Sequence, residues 1–255
     1  MNWQKGVVHL GSSQATIVQP PNLITITGAD AKRFDVLNNG GTDSTVEAVS
    51  ADKKSGDIIY YEYDDAGYVK ADDWTTLDPA KMLQDIKDNT EQANIDRKAQ
   101  NIPQVHVVGW IQTPQYDKAS GTVRWSIAAQ DSQGRTFNAI ALVLGRHGYQ
   151  KLTWVGPAKD YKNRGGLLDV AVRADRFDKG ARYKDYVNGD KIAEVGLAAL
   201  VGVAAGAGLA KLGFFAGLLL LLKKFIILIV AAAAGIYRWI SQRLKNFSAS
   251  QRIVR

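Results

Sequence analysis

The chain has no cysteine among its 255 residues. That removes disulfides, thiolate nucleophiles and cysteine-based zinc sites together. It leaves the compartment open, because an oxidising one permits disulfides without requiring them. Histidine is nearly as scarce: His9, His106 and His147 stand far apart, none at metal-ligand spacing. His106 sits beside Val107 and Val108 in a strand-like stretch, where a structural role outweighs ligation. No GxSxG, P-loop or HExxH occurs, and Gly11 and Gly40-Gly41 read as turn glycines. Neither a metal nor a cofactor is expected, and with no linear catalytic motif the expectation is a non-enzymatic protein.

Acid is almost missing from the C-terminal quarter. From Lys191 onward nine Lys or Arg face a single acid, Glu194, so the first 190 residues carry −1 of the chain's net +7. A near-neutral domain lacks the phosphate neutralisation that drives nucleic-acid binding, so no nucleic-acid partner is expected. The chain also opens without an apolar signal-like core. Either its domain is cytoplasmic, or the numbering begins near a mature N-terminus from which a signal was removed.

What is present divides along the chain. Strand-like pieces over 1–28 are broken by Pro20-Pro21, since proline cannot donate to a ladder. A short helix is predicted over Asp30–Leu37, closed by "NNGG", and "GDIIYYEYDDAGYVK" reads as a strand ending in an acidic turn. Asp78 and Pro79 suit the N-cap and first position of a helix whose Leu83, Ile86, Thr90, Ala93 and Arg97 form a narrow stripe. That helix is expected to lie on a sheet with its other side in water. "QVHVVGWIQT", "TVRWSIAAQ", "FNAIALVLG" and "YQKLTWVG" are four strands, joined by "PQYDKASG", "DSQGR" and "RHG", connections that favour antiparallel neighbours. Trp110, Tyr116, Trp125 and Trp154 read as sheet-face packing or an oligomer contact. "GLLDVAVRADRF" is a helix covering the sheet, and "DKGARYKDYVNGDK" a polar linker. The order predicts an α+β fold, an antiparallel sheet with covering helices, followed by a C-terminal hydrophobic transmembrane helical segment.

From Val195 to Ile240 the only charges are Lys211, Lys223, Lys224 and Arg238. As one helix this run would reach roughly 69 Å, over twice a hydrocarbon core of about 30 Å. It therefore bends, or part of it stands outside lipid. Ala199, Gly202, Gly206, Ala210, Gly213 and Gly217 form a small-residue stripe containing two GxxxG spacings, the pattern by which membrane helices approach one another. A homo-oligomer in a lipid bilayer is expected. Lys223 and Lys224 either snorkel at the membrane surface or face a protein-lined or watery interior. The basic tail beyond Tyr237 is cytoplasmic by the positive-inside tendency. With the domain outside, the number of crossings is odd, which places both lysines at membrane depth.

The acids Asp64, Asp65, Asp72 and Asp73 lack the ligand order of a calcium loop and read as a solvated hairpin tip. If a scattered catalytic constellation exists, Asp65, Tyr116 and Arg146 are the polar residues that stand out for it.

"GYVKADD", "VVGWIQTPQYD", "LGRHG", "KGARYKDY" and "DKIAEVGLAALVG", in this order, resemble the bacterial membrane-anchored family catalogued as Domain of Unknown Function 2167. The resemblance implies an extracytoplasmic domain made with a signal peptide, then a C-terminal membrane region in the bacterial inner membrane. Ala71 departs from it, standing where an acid is common, which weakens a metal site further. The element order also suits an α/β sandwich like those of PsbP or Mog1, an analogy that carries no function. The resulting division is an extracytoplasmic α+β domain over 1–178, a polar linker over 179–192, a membrane helical segment over 193–240 and a basic cytoplasmic tail over 241–255. The expected role is a self-assembling, membrane-anchored envelope protein with its domain on the periplasmic side. A pore-forming subunit lined by Lys211, Lys223 or Lys224, and an envelope enzyme, are the alternatives.

Overall fold

The computed structural model describes residues 1–39, 44–99, 101, 103–163 and 166–205. A seven-stranded, wholly antiparallel sheet forms the centre, in the order β3-β4-β5-β9-β8-β7-β6. Its strands are β3 (Leu23–Thr27), β4 (Val46–Asp52), β5 (Ile58–Asp64), β6 (His106–Asp117), β7 (Thr122–Asp131), β8 (Gly134–Leu144) and β9 (Tyr149–Pro157). A smaller sheet joins β1 (Val7–Leu10), β2 (Ala15–Val18) and β10 (Asp175–Phe177) in the order β1-β2-β10. The helices are α1 (Gly28–Asn39), α2 (Pro79–Ala99), α3 (Asp160–Asn163), α4 (Leu167–Ala174) and α5 (Leu197–Ala204).

Both faces of the large sheet are covered, which explains why most of β8 and β9 is buried at successive residues rather than at alternate ones. On one face Phe137, Ala139, Ala141, Leu152 and Trp154 meet the small sheet and α4. On the other, Trp125, Ile140, Leu142 and Leu144 meet Met82 and Ile86 of α2 and Leu197, Leu200 and Val201 of α5. Ile26, Val49 and Tyr60 on that second face pack with Ala31 and Phe34 of α1. Trp125 and Trp154 are thus core side chains, each 1% exposed.

The α+β class and the antiparallel meander of β6 to β9 match the sequence expectation, and several details differ. "VEAVSAD", unassigned from sequence, is β4. "PQYDKASG" is only partly a connection, because β6 runs on to Asp117. Pro114 is tolerated there because β6 is an edge strand. The helical reading of "GLLDVAVRADRF" stops at Ala174, and the last residues join the small sheet. Asp78 caps α2 as expected, accepting from the amides of Ala80 (2.9 Å) and Lys81 (3.0 Å). The buried stripe of α2 keeps Ile86 and Arg97 of the expected positions and takes Met82 and Asn94 where Leu83 and Ala93 were expected. Asn94 pairs with both backbone groups of Val105 (2.9 and 2.7 Å); Arg97 Nη1 donates to Pro103 O at 2.8 Å, while its buried Nε and Nη2 have no hydrogen-bond partner.

Residues 179–192 are folded onto the domain: Gly145 bridges Arg182, and Tyr68 bridges Ile192 in parallel. Among the described residues no helix is long and apolar enough to cross a membrane. Gly206, Ala210, Lys211, Gly213, Gly217, Lys223, Lys224 and Arg238, with the stretch 206–255, lie outside them.

Candidate functional site: a polar cleft where β5 meets β9

Antiparallel pairing sets Glu62 opposite Lys151 and Asp64 opposite Tyr149. Residues two apart share a face, so these cross-strand pairs stand side by side. Glu62 and Lys151 form an ion pair with side chains only 15% and 9% exposed. Thr45 donates to Glu62 at 2.7 Å. The Tyr149 hydroxyl donates to Asp64 Oδ2 at 3.0 Å. Burial, and then the charge of Asp64, push the Tyr149 phenol pKa up. Together with Ser12, Gln14, Tyr63, Asp65 and His147 these groups line a cavity of about 570 Å³, within the usual range for small-molecule sites. Tyr63 reports the local field: burial raises its pKa, and Asp65, Glu47 and Asp64 each raise it further.

A buried polar layer lies beneath. The β-bulge between Val46 and Ala48 accommodates Glu47. Its Oε1 accepts from the backbone amides of Ser12 (2.7 Å) and Ser13 (3.0 Å), fixing the β1–β2 turn that forms one cleft wall. Asp175 is 4% exposed. Oriented with its nitrogen toward that carboxyl, Gln150 donates to Asp175 Oδ1 at 2.9 Å and accepts from Ser13 Oγ at 2.9 Å. Burial, and secondarily Glu47, hold the Asp175 pKa well above the carboxylate range. The folded state therefore keeps this proton to higher pH than the unfolded state, and stability falls as pH rises above the unfolded value of about 3.9. Asp175→Asn is expected to flatten that fall above about pH 4 and to stabilise the protein where the native carboxyl has lost its proton. Urea midpoints across the range measure it, and an unchanged slope refutes the assignment.

One flank of the cleft is held by a knot of loops. The backbone of 67–70 runs alongside 191–197, with Tyr68 N donating to Lys191 O (2.8 Å), Ala193 N to Tyr68 O (2.9 Å) and Leu197 N to Lys70 O (2.9 Å). Gly67, at φ +101°, leaves no room for a side chain: a Cβ would stand 2.7 Å from Lys191 O. Arg146 binds Asp190 bidentately, at 2.7 and 2.8 Å, and also donates to Gly180 O (3.3 Å). That pairing, chiefly the hydrogen bonds from Arg146, lowers the Asp190 pKa to about 2. Tyr68 stacks between Tyr183 and Tyr186, with ring centroids 4.5 and 4.2 Å away. Asp73 caps α5, accepting from Ala198 N (3.1 Å) and Ala199 N (3.4 Å).

The hairpin-tip reading of the acids is therefore corrected. Asp64 is bonded to Tyr149 in the cleft, Asp65 lines it, and Asp73 serves α5 from another part of the chain. Asp65, Tyr116 and Arg146 are not brought together. Arg146 is engaged by Asp190, and Tyr116 lies on β6 beside Trp74, ring centroids 5.5 Å apart. Ala199 and Gly202 lie on α5. His9 faces Thr16 (3.0 Å) and His106 faces Glu91 (2.8 Å), leaving His147 as the histidine of the cleft. Of the residues missed from sequence, Tyr63 had no signal, and Glu62, Lys151 and Tyr149 had one. "EYD" and "YQK" each repeat polar groups at period two, so each places a pair on one face. Among the described residues no group of His, Asp and Glu is arranged to hold a metal ion.

Fold and site together define a mixed α+β domain with a polar cleft and a C-terminal apolar helix built into its core. The chain belongs to the family described as Protein of unknown function (DUF2167), whose model matches residues 2–234. Four of the segments on which the resemblance rests, around Gly67, Arg146, Arg182 and Asp190, meet in the knot beside the cleft. No curated protein matches the chain. Among solved structures, the solution structure of cyanobacterial PsbP (CyanoP) from Synechocystis sp. PCC 6803 is similar at 9% identity, covering 69% of this chain and 92% of that one. Its TM-score of 0.42 is too low to argue from.

Proposed function

We propose that this is a non-enzymatic, membrane-anchored bacterial envelope protein that self-assembles through its C-terminal apolar region and presents the α+β domain on the periplasmic side of the inner membrane. The observation that carries the reading is the seating of α5. The apolar run that begins at Val195 does not leave the domain as a loose tail: Leu197 is 0% exposed, Val201 0% and Leu200 5%. Asp73 satisfies amides at the start of α5 that would otherwise lack partners. A domain seated in this way moves with whatever the following apolar residues are embedded in.

The chain's lack of cysteine makes the test direct. Single cysteines at Ser55 and Ser250, labelled in intact cells by an impermeant reagent, are expected to react at Ser55 and to be protected at Ser250. Labelling of both overturns the topology. Mass measurement in mild detergent is expected to give an oligomer that Gly206→Leu and Gly213→Leu dissociate. A particle that is monomeric with and without these changes overturns the assembly.

A further inference from the structure

We infer that the cleft between β5, β9 and the β1–β2 turn is a binding site for a hydroxyl-rich sugar ring. The inference rests on the cavity and the chemistry of its walls, and is independent of the membrane reading. The cavity, about 570 Å³ and open to solvent, is of a size to take a ring or two. Its walls are rich in acceptors and short of available cations. Lys151 is paired with Glu62, and at the rim Lys191 Nζ donates to the backbone oxygen of Asp65 at 2.9 Å. The Asp65 carboxylate, the Ser12 hydroxyl, the Gln14 amide and the His147 ring border the cavity without being drawn into the pairs below them. These four groups come from opposite walls and differ in kind, which suits hydroxyls spread around a ring better than a single point charge.

Tyr63, half-buried against Phe177 (ring centroids 6.5 Å apart), adds an aromatic side chain to the lining, the kind of group on which the C–H face of a pyranose packs. The rear of the site is pre-formed. Glu47 holds the wall bearing Ser12 through two amides, and Tyr149 holds Asp64. Little ordering cost then remains for a ligand to meet. A metal ion fits less well, because Asp64 is bonded to Tyr149 and Glu62 to Lys151 and Thr45.

The test is saturation-transfer NMR on the full chain in a non-glycosidic detergent, with glucose, cellobiose and spermidine as separate probes, and titration calorimetry with calcium chloride. Cellobiose is expected to bind saturably in the range of about 0.1–5 mM, the affinity of a few hydrogen bonds and one packed ring face. Asp65→Asn, an exposed and nearly isosteric change, is expected to weaken it about tenfold, the scale of one charge-assisted hydrogen bond. Tyr63→Ala is expected to weaken it at least as much, with near-ultraviolet circular dichroism as the check on folding. Absence of saturable binding by either sugar up to about 20 mM overturns the inference, as does sugar binding that Asp65→Asn leaves unchanged. Binding of spermidine or calcium without the sugars identifies a cation site and also overturns it.

Discussion

Gly148→Ala is expected to destabilise the protein by about 3 kcal/mol or more, at the upper end of what overpacking costs. A Cβ at this position would stand 1.9 Å from Asp64 O, 2.9 Å from Asp64 C and 3.0 Å from Asp65 Cα. All three are main-chain atoms, so no side chain can swing aside. Relief requires the end of β5 to part from the start of β9. That is where Asp64 pairs with Tyr149 and where Gly148 O accepts from Gly145 N at 2.8 Å. Stability and cleft geometry should therefore fail together. Gly109→Ala is the control: its Cβ would meet nothing within 4 Å, and a shift within about 0.5 kcal/mol is expected. Urea denaturation of both variants measures the contrast. A Gly148→Ala midpoint equal to that of Gly109→Ala contradicts the contact.

Leu197→Ala is expected to cost about 2–5 kcal/mol, the range for truncating a fully enclosed leucine. Leu197 is 0% exposed and packs in the cluster with Trp125, Leu142, Leu144 and Met82. The size of the loss also measures how α5 behaves. If α5 opens on its own, the cost is capped at the free energy of that local opening, and the remainder of the domain keeps its midpoint. If α5 is part of the cooperative unit, the full penalty appears in the global transition. The cap by Asp73, the three amide contacts with 67–70 and the burial of Leu200 and Val201 favour the second outcome. Denaturation followed separately by tryptophan fluorescence and by proteolysis near Ala204 distinguishes them. A cost under about 1 kcal/mol with early cleavage shows α5 to be an independent flap.

The parts of this structure legible in the sequence are those governed by neighbours along the chain. The meander from β6 to β9 follows from turn residues at short spacing, and the start of α2 follows from Asp78 and Pro79. β4 was not legible because "VEAVSAD" places Glu47, Ser50 and Asp52 inside a short apolar run. Those groups are buried against partners far away in sequence, such as Ser12, Ser13 and Thr25. The buried face of α2 shows the same limit. Asn94 points inward because Val105 presents both its backbone groups there, which no hydrophobic period can reveal, whereas Arg97 already stood on the expected stripe.

The cleft illustrates it most fully. Asp64 and Asp65 stand close to Asp72 and Asp73 in the chain and read as one acidic feature. Strand register sends Asp64 to Tyr149, while Asp73 goes to the start of α5. Lys151, in a stretch legible only as a strand, lies opposite Glu62 with 9% of its side chain exposed. Both outcomes depend on which strand is neighbour to which, and that order, with β9 inserted beside β5, is long-range information.

The way α5 is fastened has a mechanical consequence. Tension entering from beyond Ala205 passes through α5 into residues 191–197, which lie parallel to 67–70 rather than peeling away from them. The amide contacts along that seam share the load instead of parting one at a time. The Arg146–Asp190 fork, bidentate at 2.7 and 2.8 Å, anchors the seam's far end to the turn between β8 and β9. Any force applied beyond Ala205 would thereby reach β8 and β9 through the turn that joins them.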